Sequence, residues 1–439
     1  MSGLALISAA ATLFSAQGDK LSLDEAIQIA MDGAFSVRIA KTDLSRAEQA
    51  IAQRRAQMGI RLTTDTTYTR FDKESRATFG EQSIVVRPID SADTRLTLSM
   101  PVDISRNLGR FLSAAKLGLA ASEKNVEAAK GQVKLAVRQS YFQVVKASWQ
   151  VRVAQQSFTN AESRRAVAES RFRQGDVARI EVLRFETEVA QRRSELIAAQ
   201  NQLSLSKNAF NNTLGRPIET PVELEDVAPT DPALPSVEDL VQSALESRPE
   251  LDALEAQWKA QGVVRQAEET GDDPSLALSA VHTRNWQTAG FGSQSQSTVG
   301  TAVLSFPIVD SGLTRARVRS AKQEEEAAKL RWEQAKLGVT LDVRQAHTAL
   351  VNALSRLNVT RSQVELATET YRLASLRYEA GEAIQLEVID AQTQLVAAET
   401  SQVAAQYDVL SALAQLQFAV GKDEIELSTS ADGTEDRNE

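Results

Sequence analysis

Two carboxylates, Glu387 and Asp390, stand three residues apart just after a glycine, Gly381. They lie in the run RYEAGEAIQLEVIDAQTQL (377–395), which otherwise reads as helix. At positions i and i+3 they share one helix face. A single pair of this kind is solvated surface. Several pairs gathered at one narrow aperture would make a field that attracts cations, resists anions and raises the acids' own pKa values. Little else in the chain suggests chemistry. There is no cysteine, hence no disulfide and no thiolate. The two histidines, His282 and His347, have no metal-ligand spacing. With no nucleophile, metal or acid–base cluster in view, neither an enzyme nor a cofactor is expected. A net charge of −9 argues against nucleic acid as a partner, because phosphate binding needs clustered Lys and Arg.

The elements that position this pair come in duplicate. Only 10 prolines and 20 glycines punctuate 439 residues, and aromatics make up 5%, so long helices packed through small residues are expected. RFRQGDVARIEVLRFETEVAQ from Arg171 overlays RYEAGEAIQLEVIDAQTQLVA from Arg377, 206 positions on, with Gly175 falling on Gly381 and Glu181 on Glu387. The same offset carries LSMPV at Leu98 onto LSFPI at Leu304, and Gly215 onto Gly421. Upstream, LSLDEAIQIAMDGA from Leu21 matches PSVEDLVQSALESR from Pro235 at an offset of 214, which leaves eight surplus residues between the strands of the first copy.

Each copy is expected to run helix, strand, strand, very long helix, glycine turn, long helix. The first repeat spans 19–214, with strands near 60–70 and 93–103 and helices near 109–172 and 176–213. The second spans 236–427, with strands near 275–285 and 298–309 and helices near 312–378 and 382–420. A proline-rich linker, 215–235, joins them. Ser22 and Glu25 make a capping box that opens the first helix. Apolar and small residues recur in steps of three and four from Leu112 through Val126, Val133, Ala136, Val144 and Ala147 to Ala161, the seam of a left-handed coiled coil. At ~1.5 Å per residue this helix is roughly 90 Å long. Residues 1–18 have the apolar run and small-residue end of a secretory signal, and the polar, acidic 428–439 is expected to be disordered. After residue 18 nothing approaches the ~18 consecutive apolar residues of a membrane helix.

The strands carry a different pattern. Leu62 alternates with Arg61 and Thr63, and Leu96, Leu98 and Met100 alternate with Arg95, Thr97 and Ser99; Leu276, Leu278 and Leu304 repeat the theme. One apolar and one polar face suit either a soluble sheet covered by helices or a transmembrane barrel with a polar lumen. The helices are committed to each other along their own seams, which favours the barrel. Four strands cannot close one, since even small barrels need about eight. Three chains would supply 12.

The duplication, the alternating strand pairs, the long helices and the twice-repeated glycine turn with its acid and VIDAQTQL-like sequel resemble the TolC family of outer-membrane efflux channels over essentially the whole mature chain. The resemblance implies a mainly α fold with a β-barrel portion. It would be a homotrimer whose 12-stranded transmembrane β-barrel, set in the lipid of a diderm outer membrane, continues into a periplasmic α-helical barrel. The linker would lie in an equatorial belt. It also implies passive conduction of substrates, gating at the periplasmic tip, and docking to a periplasmic adaptor protein and an inner-membrane transporter. By the same resemblance Glu387 and Asp390 occupy the pore constriction, Tyr378 and Glu181 form a gate tie, and Arg171, Gly175, Arg377 and Gly381 mark the adaptor-docking tips. Two positions depart from the family pattern. Phe35 stands where a proline breaks the first helix, as Pro249 does in the second copy, and Ala383 replaces a basic residue, so a second tie is lost and the closed state is less firmly latched. A different reading, an envelope coiled-coil or adaptor protein without a pore, would need a lipoyl-like β domain within its hairpin, and none is visible between Gly175 and Gly215 or after Gly381. Two His, four Met and no Cys argue against a dedicated soft-metal path.

Overall fold

The computed structural model describes residues 20–227, 235–287 and 294–423. The expected signal (1–18) and tail (428–439) lie outside these residues, as does part of the linker. The opening helix of each copy is broken in two at the positions of Phe35 and Pro249, giving α1 (Leu23–Gly33) and α2 (Phe35–Gln57) in the first and α5 (Val237–Ser247) and α6 (Pro249–Glu268) in the second. A single extended residue makes each break, Ala34 at ψ 128 and Arg248 at ψ 115. Pro249 enforces the second, because a residue before proline avoids helical ψ. The first forms without proline, its Ala34 held in the core. The opening helices α1 and α5 are capped as the sequence indicates, with Ser22 and Ser236 side chains accepting from the backbones of Glu25 and Asp239.

The strands of the first copy are β1 (Arg61–Arg70) and β4 (Asp90–Val102). Between them the chain builds a separate hairpin, β2 (Ser75–Phe79) with β3 (Gln82–Arg87), turned by Gly80 at φ 64. The surplus residues of the first copy fall in this hairpin. In the second copy β5 (Ser275–Asn285) is followed by β6 (Gln296–Ser305), which stops before Pro307. The long helices are α3 (Asn107–Gln174) and α7 (Leu313–Glu379), each followed by a shorter one, α4 (Arg179–Thr213) and α8 (Gln385–Val420). The shorter helices begin four residues beyond the tip glycines rather than one, since Ala178 and Ile384 take extended N-cap conformations, ψ 152 and 151.

The described residues form two compact units that cut across the repeats. Those within 1–39, 127–248 and 337–439 make one; those within 40–126 and 249–336 make the other. The first holds the main core. Tyr141 is fully buried there, its hydroxyl 3.0 Å from the Leu21 carbonyl oxygen and 2.9 Å from that of Glu225, and burial pushes its pKa up to about 12. Tyr407 donates to Asp226 at 2.6 Å, and the Trp149 indole donates to the same carboxylate at 2.9 Å. Linker residues are thereby fastened to α3 and α8. Along α3 the seam positions Val126, Val133, Val144, Ala147 and Ala161 are buried, but Ala136 is exposed and Val137 and Tyr141 replace it inside. A straight helix drifts about 20° per heptad against a strict 3.5-residue repeat, so the buried stripe slips by a residue.

The second unit carries a four-stranded antiparallel sheet in the order β1-β4-β5-β6. Its register aligns Leu62 with Leu98, Met100 with Leu278 and Leu276 with Leu304, so one face gathers the leucines. The opposite face carries Arg61, Thr63 and Asp65 beside Ser99, Thr97 and Arg95, with Val299 and Val303 from β6 among them. Leu62 and Leu304 are 62% and 66% exposed, so among the described residues no layer covers the apolar face at either edge strand. Tyr68 and Trp286 stand toward one end of the apolar band, the indole donating to Thr94 at 3.0 Å. β1 and β6 each have one neighbour, leaving two open edges. Among the described residues no helix is long and apolar enough to cross a membrane.

Gly215 ends α4 at φ 71, and a Cβ there would lie 2.4 Å from the Gly33 carbonyl oxygen. The left-handed conformation alone costs an L-residue about 1–2 kcal/mol. Gly381, at φ 76, has open space around it. Gly215→Ala is therefore expected to lower the unfolding temperature clearly more than Gly381→Ala, read by thermal unfolding of the two purified variants; equal losses would contradict the close approach.

Candidate functional site

The two glycine turns are built alike. In the first, the Gly175 N–H donates to the Phe172 carbonyl at 3.0 Å and the Asp176 N–H to that of Arg171 at 3.0 Å. In the second, Gly381 donates to Tyr378 at 3.1 Å and Glu382 to Arg377 at 2.8 Å. This reciprocal pair closes a helix end only where the following residue takes positive φ, which glycine does without steric cost. Gly175 has φ 84. A Cβ at either tip would meet nothing within 4 Å, so both tips present free surface.

Glu387 and Asp390 are both exposed on the first turns of α8. They are not equivalent. The Arg377 guanidinium donates to Glu387 at 3.3 Å and to the Glu382 carbonyl at 3.4 Å, so one of the two acids is partly neutralised inside its own turn. Asp390 has no side-chain partner among the described residues.

Tyr378 is half-buried and lies under the Arg171 guanidinium, 5.3 Å from the ring centroid. Tyr378 and Glu181 form no hydrogen bond with each other in this structure. Instead Gln385 donates to the Glu181 backbone carbonyl at 3.3 Å, while the buried Glu181 Oε2 has no partner. The stacked Arg171 and Tyr378, one from each copy, are thus brought together, and so are Glu181 and Gln385.

Sequence reading missed a buried polar cluster that begins about three turns from the tips. Arg164 on α3 reaches the other three helices: Glu188 on α4 at 3.5 Å, the Tyr371 hydroxyl on α7 at 3.4 Å, and Gln392 on α8 at 2.7 Å. Arg192 on α4 donates to Glu195 at 3.0 Å and to Thr393 on α8 at 2.8 Å. Glu188 and Arg192 are 7% and 6% exposed. Burial pushes the Glu188 carboxyl above its ordinary range, against the pull of Arg164 and Arg192. The available signal was charge at seam spacing: Arg164 falls between Ala161 and Ala168, and Glu188 and Arg192 fall between Phe185 and Leu196.

The model of the outer membrane efflux protein family matches residues 26–216 and 240–422, most of both repeats. The chain belongs to this family. It is similar to the pyoverdine export outer membrane protein OpmQ of Pseudomonas putida, 26% identical over 413 residues that cover 91% of this chain and 85% of that protein. It is also similar to the cobalt-zinc-cadmium resistance protein CzcC of Cupriavidus metallidurans, 22% identical over 85% of this chain and 84% of that one. Among solved structures its fold resembles the outer-membrane channel OprN, with a TM-score of 0.76 at 20% identity over 91% of this chain and 89% of that one. It resembles the Campylobacter jejuni CmeC outer membrane channel at 0.77 and 16% identity, over 91% and 85%. As a member of the outer membrane efflux protein family the chain is an outer-membrane efflux channel, not an enzyme.

Because Glu188 has a folded-state pKa above its unfolded value, its charge opposes folding. That cost is complete above the raised value and fades as pH falls toward the ordinary carboxylate range. The stability of Glu188→Gln relative to the native chain is therefore expected to improve between pH 4.5 and pH 7, measured by thermal unfolding at both; a shift in the opposite sense would contradict the burial argument. Arg192→Met, which strips a buried partner from Glu188, is expected to cost about 3 kcal/mol.

Proposed function

We propose that three copies of this chain pool their four-stranded sheets into one 12-stranded barrel in the outer membrane, and that substrates pass through it passively. The observation that carries this reading is the sheet itself: open at both edges, with leucines exposed along one face. In lipid, unpaired backbone groups at strand edges are costly, and closure is the available remedy. The glycine tips gate the channel at its periplasmic end, opening like an iris when a periplasmic adaptor and an inner-membrane transporter engage. Their freedom from surrounding atoms supports a docking role for Gly175 and Gly381 with the flanking Arg171 and Arg377.

Threefold symmetry would set three copies of Glu387 and Asp390 around one aperture. Since Arg377 offsets Glu387, the unpaired Asp390 supplies most of the field there. The substrate class is then set by the transporter that delivers it, and the constriction adds a preference for cations. In planar bilayers, Asp390→Asn is expected to lower the cation-to-anion permeability ratio several-fold, Glu387→Gln to lower it less, and Arg377→Gln to raise it. An unchanged ratio in the double variant of Glu387 and Asp390 would remove both residues from the constriction.

A further inference from the structure

Polar side chains join α3 to α8 as rungs between two antiparallel helices: Arg138 with Gln417 at 2.8 Å, Lys146 with Asp408 at 3.0 Å, and Arg164 with Gln392 at 2.7 Å. Among the described residues no polar contact joins these helices between the Lys146 and Arg164 rungs. The Arg164 rung is the last before the tips. It shares its arginine-to-glutamine chemistry with the Arg138 rung and differs in reach: its guanidinium touches three helices at once, through Glu188, Tyr371 and Gln392. A planar fork with five donors can hold three acceptors in fixed directions, which an ammonium cannot.

On the tip side of this residue the packing loosens. A half-open cleft of about 210 Å³ lies between Arg164 and Arg171, lined by Val167, Phe185, Tyr371, Ser375 and Val388 among others. The buried Ser375 Oγ has no hydrogen-bond partner, nor has Glu188 Oε2. Buried polar atoms normally find hydrogen-bond partners. Beyond the cleft the copies are held by the Arg171–Tyr378 stack, the single Gln385–Glu181 bond and a small apolar cluster around Phe185. The segment from Arg164 to the tips is therefore the weakly joined part of the two hairpins, and it ends abruptly at a strongly joined residue.

We propose that Arg164 is the latch and the limit of tip opening: when the gate opens, the hairpins part below this residue and stay packed above it, and the energy holding the resting channel shut resides chiefly in the Arg164 contacts. The proposal rests on the gating reading given above. Arg164 is a positioning residue; it acts on the aperture through the helices it joins.

The test uses the full-length chain assembled in bilayers. It compares the native channel, Arg164→Met, Arg164→Lys and Lys146→Met, the last removing a rung farther from the tips. Resting conductance is measured together with the spacing between spin labels on Glu382→Cys, in a chain that has no other cysteine. Arg164→Met is expected to raise the resting open fraction by roughly tenfold or more, as for loss of a charge-assisted hydrogen bond, and to widen the label spacing. Arg164→Lys is expected to restore closure only partly, and Lys146→Met to leave both readouts unchanged. Should Arg164→Met fail to assemble, Gln392→Leu removes the shortest of the Arg164 bonds while keeping Glu188 paired, and the same increase is expected. A native channel that rests closed, with Arg164→Met or Gln392→Leu equally closed, overturns the latch and leaves gating intact. A native channel already fully open at rest overturns both.

Discussion

A strand edge in hydrocarbon leaves its backbone donors and acceptors with nothing to bind, and among the described residues β1 and β6 leave two open edges on a sheet whose leucines are exposed along one face. The rest of the organisation follows from that constraint. Four strands are too few to close a barrel, so in the proposed trimer the edges would be satisfied by the other chains. Repetition about the proposed threefold axis would then bring every feature of the chain round the same opening. The exposed Asp390 on the first turns of α8, unremarkable in one chain, would become part of a ring in the proposed trimer.

The hairpin tips show how far local backbone chemistry governs the site. Gly175 and Gly381 close their helices with the same two hydrogen bonds, although their neighbours differ. The side chains around them have diverged: Arg171 lies on a tyrosine of the other copy, while Arg377 is spent on its own turn. Farther from the tips, Arg164, Glu188 and Arg192 occupy places where leucine or alanine would pack with less desolvation. Relative to apolar packing, buried charge of this kind adds little stability, but removing one partner is costly. What it contributes is a directional joint between helices that apolar packing would leave free to slide.

Much of this was legible in the sequence because it rests on short-range rules. Serine caps, positive-φ glycines and strand alternation are each decided within a few residues, and the 206-residue repeat let one copy check the other. The sheet register bears this out, with Leu62 against Leu98 and Leu276 against Leu304. What escaped depended on distant partners. The β2–β3 hairpin was read only as surplus length, because SRATF and QSIVVR pair with each other and with nothing in the second copy. The partial neutralisation of Glu387 was invisible because a ten-residue separation says nothing of which way Arg377 turns. The cluster about Arg164 escaped because its acceptors come from three other helices, two of them in the second copy, and no pattern within one helix specifies them.

The account stands or falls on whether β1 of one copy meets β6 of the next. The chain has no cysteine, so each introduced pair reports alone. Thr63→Cys in β1 can be combined in turn with Ser297→Cys, Val299→Cys, Thr301→Cys and Val303→Cys along the polar face of β6, and oxidised in outer membranes. Covalent trimers on denaturing electrophoresis, formed at one register and falling away on either side of it, are the expected result. Uniformly monomeric chains at every position, in membranes where the protein is folded, would contradict it.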